Sequence, residues 1–162
     1  MADSTNVENP GFSLPERVVH QNIEKIIKEV KGRLIVGTFA SLLDRIIKII
    51  ELAEKYGKKV VVEGRSMKNN IEIVRYLGIL KVDKGTIISS EEMESYPPER
   101  IVALATGAQG DEFAALMRMA IKEHKYFKIN KRDTVLLSSS IVPGNERAVQ
   151  KLKDNLSRQG AH

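Results

Sequence analysis

A chain of 162 residues in which 42% of the side chains are hydrophobic has the length of one ordinary domain and enough apolar material to bury a core. Cysteine is absent, which excludes disulfides and thiolate metal sites and fits a reducing compartment, so a cytoplasmic location is expected. No apolar run approaches the ~18 residues of a membrane span, and residues 1–9 carry neither a basic nor an apolar region, so neither export nor membrane insertion is expected. A net charge of +5 favours phosphate-rich partners, because Lys and Arg release condensed counterions when they neutralise phosphates.

Ser13-Leu14-Pro15-Glu16 has the spacing of a capping box, and Val19, Ile23, Ile26 and Val30 follow at helical intervals, which predicts a helix over about 14–31 ended by Gly32. Residues 33–38 form a short apolar run of the kind buried on both faces of a parallel sheet, the first strand. Phe39, Leu42, Leu43, Ile46, Ile49, Ile50 and Ala53 then trace one face of a helix that stops at Gly57. Residues 59–63 read as the second strand, the turn Gly64-Arg65-Ser66 follows, and a helix is expected over about 67–77.

The next stretch is less regular. Thr86-Ile87-Ile88 is expected to pair briefly, Ser90 to Met93 to make one helical turn, and Pro97-Pro98 to interrupt regular structure. Residues 101–106 are another buried-type strand, 107–110 a turn, and 111–122 a helix with Leu116, Met119 and Ala120 inward. Residues 134–138 make a further strand, and 145–158 a helix with Val149, Leu152 and Leu156 inward. Alternation of this kind implies an α/β fold of three layers, a mostly parallel sheet with helices on both faces and Rossmann-like character. Residues 1–12 are expected to be loosely ordered and 13–162 to form a single domain.

In such sheets ligands bind beyond the carboxyl ends of the strands, which directs attention to four loops: Thr38 to Ser41, Gly64 to Met67, Thr106 to Gly110, and Ser138 to Asn145. All are rich in small or hydroxyl residues, and each opens a helix whose positive end favours an anion. The competing reading is that glycine and serine merely build tight turns and caps. Arg65 adds a planar charged donor suited to phosphate or to a structural ion pair. The sequence lacks a Gly-x-Ser-x-Gly elbow, a Gly-x-Gly-x-x-Gly fingerprint and a Gly-Lys-Ser/Thr P-loop. Its three histidines, His20, His124 and His162, are far apart, so serine-hydrolase, dinucleotide, ATP and His-based metal chemistry find no support. With four Phe, four Tyr and no Trp, contact with phosphate and sugar is favoured over base readout.

Taken in order, Asp3-Ser4-Thr5-Asn6, Glu16-Arg17-Val18-Val19, Thr38-Phe39-Ala40-Ser41, Gly64-Arg65-Ser66-Met67, Thr106-Gly107-Ala108-Gln109-Gly110 and Ser138-Ser139-Ser140 with Pro143-Gly144-Asn145-Glu146 resemble the β-CASP region of ribonuclease J, a metallo-β-lactamase-fold RNA nuclease. The similarity covers nearly the whole chain. It implies a Rossmann-like β-CASP domain over 13–162 that binds RNA and shapes a cleft in a metal-dependent 5′-exo- and endoribonuclease. Two divalent metal ions, expected to be zinc, belong to a metallo-β-lactamase domain outside this chain, since the His-x-His-x-Asp-His signature is missing here, so the chain alone is expected to be inactive.

Glu16 matches the family's first β-CASP acidic motif, which would orient groups around the metal centre, while the capping box offers it a purely structural role. By the same resemblance Ser138, Ser139, Ser140, Gly144 and Asn145 hold the RNA backbone or a 5′-phosphate, with Arg65 and Ser66 nearby. Ala108 stands where relatives often have Ser, and Ile141 where they often have Pro. The implied partners are 5′-monophosphorylated single-stranded RNA and the metallo-β-lactamase domain, in a homo-oligomeric parent without membrane contact. The alternative is a free-standing Rossmann-like domain binding a nucleotide or sugar phosphate.

Overall fold

A computed structural model describes residues 10–11 and 15–162. Five α-helices and five strands run through them, alternating except where β4 follows β3: α1 (Glu16–Glu29), β1 (Leu34–Gly37), α2 (Leu43–Lys55), β2 (Lys59–Glu63), α3 (Arg65–Tyr76), β3 (Ile87–Ile88), β4 (Ile101–Ala105), α4 (Ala115–Ala120), β5 (Thr134–Leu137) and α5 (Glu146–Arg158). The strands form one all-parallel sheet in the order β3-β2-β4-β1-β5.

Alternation along each strand sends successive side chains to opposite faces, and this builds two cores. Leu34, Val36, Val60, Val62, Val102 and Leu104 face α1, α2 and α3. Ile35, Val61, Ile101, Ala103 and Ala105 face α4 and α5. The helices meet the sheet with the apolar stripes seen in the sequence: Ile46, Ile49 and Ile50 of α2 are fully buried, each stabilising the fold by roughly 1.5–3 kcal/mol relative to exposure. This is the three-layer α/β arrangement expected, with Ile87 and Ile88 adding the brief fifth strand beside β2.

Local departures have local causes. The expected helix over 111–122 begins only at Ala115, because Gly110 N–H donates to Gly107 O and Ala114 N–H to Asp111 O, spending 107–114 on consecutive turns. Pro98 does more than interrupt: it opens a 3-10 turn, Pro98–Arg100, that leads into β4, and Glu92–Ser95 forms another. At α1 the capping position is Pro15 and Glu16 is the first helical residue, so Glu16 is out of register for a capping box; Ser13 and the boundary between residues 12 and 13 lie outside the described residues.

At the opposite edge of the sheet, Arg33 and the fully buried Asp133 tie the starts of β1 and β5 together through bonds of 2.8 and 2.6 Å. The last residues run beside β5, with His162 N–H donating to Asp133 O and Val135 N–H to His162 O. The amino-terminal edge is thereby closed, and the carboxyl edge carries the loops.

Candidate functional site

Because all five strands are parallel, the loops that follow them lie along one rim. On the side of β1 and β5 these loops hold one another. Thr38 Oγ1 donates to Ser138 O at 3.1 Å, and Ser138 N–H donates to Gly37 O at 2.8 Å. Arg45, from the first turn of α2, donates through Nη1 to Ser138 O at 2.7 Å and through Nε and Nη2 to the two carboxylate oxygens of Glu16, both at 2.7 Å. Glu16 is therefore linked to the serine loop through a residue that the sequence did not single out. Arg45's hydrogen bonds hold the Glu16 carboxyl below the ordinary range, since a bidentate guanidinium favours the ionised form.

Gln109 is the second unforeseen organiser. It is buried, and its Nε2 donates to Ser140 O at 2.9 Å and to Ser139 Oγ at 3.3 Å. Its Oε1 accepts from Val142 N–H at 2.8 Å and from Asn145 Nδ2 at 3.4 Å. One amide thus fixes the path of residues 139–145. The turn bearing it is seated by Gly110, whose φ of +80° suits glycine and where a Cβ would fall 2.4 Å from the backbone of Ala148 in α5. The backbone amides expected to meet an anion here are taken: Gly144 N–H donates to the Glu146 carboxylate and Asn145 N–H to Val142 O. The hydroxyls of the half-buried Ser139 and the exposed Ser140 donate no hydrogen bond among the described residues and remain available as donors.

On the side of β2 and β4 the rim opens into a hollow of about 850 Å³ between α3 and α4, lined by Arg65, Ser66, Lys68, Thr106, Phe113 and Arg118 among others. It continues into a second hollow of about 440 Å³ toward Ser90 and Tyr126. Gly64 makes the close approach possible: its φ is +118°, and a Cβ there would lie 2.4 Å from Thr106 Oγ1.

The floor shared by the two hollows is a buried polar cluster. Glu63 accepts from Ser90 Oγ, stands 3.4 Å from His124 Nε2, and lies 3.8 Å from Lys68 Nζ. His124 Nδ1 accepts from the backbone N–H of Tyr126 and Phe127 at 3.3 and 3.2 Å, which places the ring proton on Nε2, toward Glu63. Burial pushes the Glu63 carboxyl up, but the hydrogen bonds from His124 and Ser90 and the Lys68 charge outweigh it and hold it below its ordinary value.

The predicted site residues therefore form two groups. Ser138, Ser139, Ser140, Gly144 and Asn145 stand with Glu16 through the Arg45 and Gln109 contacts. Arg65 and Ser66 lie at the end of β2, three strand spacings from β5, or roughly 14 Å, so one phosphate cannot touch both groups. Among the described residues no three His, Asp or Glu side chains could hold a metal ion. His20 and His124 each face one glutamate, at 3.4 Å in both cases. The described residues do not fit a metal centre, and no helix among them is long and apolar enough to cross a membrane.

Comparison with known proteins accounts for this arrangement of loops. Residues 31–156 match the family described as "Ribonuclease J, beta-CASP domain". The chain is 42% identical over 160 residues to Ribonuclease J of Mycoplasma genitalium, aligning 99% of this chain with 28% of that protein. It is 44% identical over 161 residues to Ribonuclease J of Mycolicibacterium smegmatis, covering 99% of this chain and 29% of the relative. It is 42% identical over its full 162 residues to Ribonuclease J of Thermus thermophilus, again 28% of the relative's length. The chain thus spans less than a third of these relatives. Fold, loop order and similarity agree, and the chain belongs to the β-CASP domain family of ribonuclease J.

Proposed function

We propose that this chain is the RNA-binding, cleft-forming domain of a metal-dependent 5′-exo- and endoribonuclease of ribonuclease J type, a cytoplasmic and homo-oligomeric parent in which the metal centre lies outside this chain. The observation that carries the reading is the Gln109 and Arg45 scaffold. A loop displaying Ser139 and Ser140 is fixed by buried or paired side chains, as a site that must position a flexible backbone requires.

In this reading the serine hydroxyls donate to phosphate oxygens of single-stranded RNA, the 5′-monophosphate included, and the Arg45–Glu16 pair keeps the loop in register with α1. The parent's two divalent ions, expected to be zinc, supply the activated water for phosphodiester hydrolysis. Glu16 would act on that centre from this chain as an orienting group, with Arg45 fixing its carboxylate.

Titration of the chain with fluorescent 5′-monophosphorylated single-stranded RNA tests the proposal. Binding is expected at low salt, weakening roughly tenfold or more between 50 and 200 mM salt as phosphate contacts are screened. Added zinc or manganese should bring no specific cleavage by the chain alone. No binding at low salt, or specific cleavage that Glu16→Ala abolishes, overturns it.

A further inference from the structure

Phe113 is 93% exposed, whereas Phe127 is fully buried. Leaving a phenyl ring in water forgoes the stabilisation that burial would give. The turns over 107–114 hold the backbone on either side of it, through Gly110 N–H to Gly107 O and Ala114 N–H to Asp111 O, both at 3.1 Å. A Cβ on Gly107 would approach Ala114 Cβ to 2.4 Å, so the two ends of this segment pack closely on each other.

The ring stands between two hollows: on one side it meets Met117, Ile121, Glu112 and Glu123 with Arg118 and Lys151, and on the other a more cationic lining. Phe113 borders the 850 Å³ hollow with Arg65, Lys68 and Arg118, against the acids Glu63 and Glu72. Glu63 is engaged by Ser90, His124 and Lys68, while Arg65 and Arg118 make no side-chain hydrogen bond or ion pair among the described residues. Arg118 also borders the adjoining hollows on either side, of about 440 and 570 Å³. A displayed aromatic face beside two unpaired guanidinium groups is what a nucleotide of single-stranded RNA needs: a surface on which its base stacks and donors for the flanking phosphates. Beside the ring only Ile121 is another exposed large apolar side chain among the described residues, whereas four, Ile73, Tyr76, Leu77 and Ile79, lie on α3 and the turn after it.

We propose that Phe113 is a base-stacking platform and Arg118 its phosphate partner, forming an RNA subsite in the α3–α4 cleft, separate from the serine loop. The proposal rests on the RNA-binding reading above and adds to it a contact with the base, which that reading assigns to no residue.

The test compares three probes with the 162-residue chain at low salt: labelled oligoadenylate, labelled oligouridylate, and a ribose-phosphate oligomer of equal length without bases. Phe113→Ala should weaken adenylate binding roughly fivefold or more, affect uridylate less, and leave the abasic backbone unchanged, while Phe113→Trp should restore or exceed the original affinity. Arg118→Ala should weaken all three probes alike and lower the salt dependence by about one phosphate contact. Far-ultraviolet circular dichroism and thermal unfolding verify that the variants remain folded, as substitutions of exposed side chains should.

RNA binding that Phe113→Ala leaves unchanged overturns the stacking platform alone and leaves the serine-loop reading standing. Loss of self-association in that variant, with RNA affinity intact, also overturns it by assigning the ring to a protein contact. Failure of the unsubstituted chain to bind any probe overturns both readings.

Discussion

Where β1 and β5 end, the loops hold one another: Arg45 joins α1 to the serine loop, Gln109 joins the β4 loop to residues 139–145, and most polar groups are engaged before any ligand arrives. Where β2 and β4 end, the order lies underneath. Glu63, Ser90 and His124 form a closed buried cluster, and the side chains above it, Arg65, Phe113 and Arg118, have no partners among the described residues. One half of the rim prepares a loop and the other prepares a floor. In the first a ligand meets a few preset hydroxyls, and in the second it meets long cationic side chains and a ring.

The division between the two halves is most exposed to challenge at Gly64, where an added Cβ meets Thr106 and the φ of +118° disfavours any other residue. Gly64→Ala should cost about 3 kcal/mol in urea unfolding and weaken RNA binding at the cleft more than at the serine loop. A loss below about 0.5 kcal/mol would mean that the loops after β2 and β4 do not need their close approach.

A smaller effect is expected at Gln109, whose truncation leaves Val142 N–H and Ser140 O without their side-chain partner. Gln109→Ala should destabilise by about 2 kcal/mol and accelerate hydrogen exchange of the amides over 140–145, leaving α3 as protected as before. Acceleration spread equally over α3 would show that the halves are a single cooperative unit.

The smallest change, Glu63→Gln, keeps the shape and removes the charge. It should cost about 1 kcal/mol at neutral pH, because an amide accepts less strongly than a carboxylate from Ser90 and His124. Its signature is in acid. A carboxyl held below its ordinary value stabilises the fold above the unfolded-state pKa, near 4.5, and loses that contribution as pH falls through the folded value. The gap between variant and unsubstituted chain should therefore narrow in acid unfolding below about pH 4.5, and a gap that widens there would reverse the assigned direction.

Much of the fold can be read along the chain because its causes are local. Runs such as Val60-Val61-Val62 and the helical stripe of Ile46, Ile49 and Ile50 announce buried strands and one-sided helices, and both are found fully or almost fully buried. The start of α4 falls later than the helical composition of 111–114 suggests, since the conformation there is decided by the turns behind it. The rim loops are visible in the sequence as a set, but their wiring is not. Arg45 meets Ser138 across 93 residues, and Glu63 meets His124 only because β2 ends beside the turn after α4. An arginine in an amphipathic helix and a glutamate closing a strand carry no periodic signal. A single glutamine in a glycine-rich turn hints at a clamp only once the loop it grips is known.

The residues beside β5 bear on behaviour in concentrated solution. An open parallel sheet has two borders whose unpaired main-chain groups can recruit a strand from another molecule. Here one border is a strand of only two residues, Ile87 and Ile88, and the other has His162 O accepting from Val135 N–H and His162 N–H donating to Asp133 O. Among the described residues neither border offers a long flat template, a geometry that disfavours edge-to-edge pairing with another molecule.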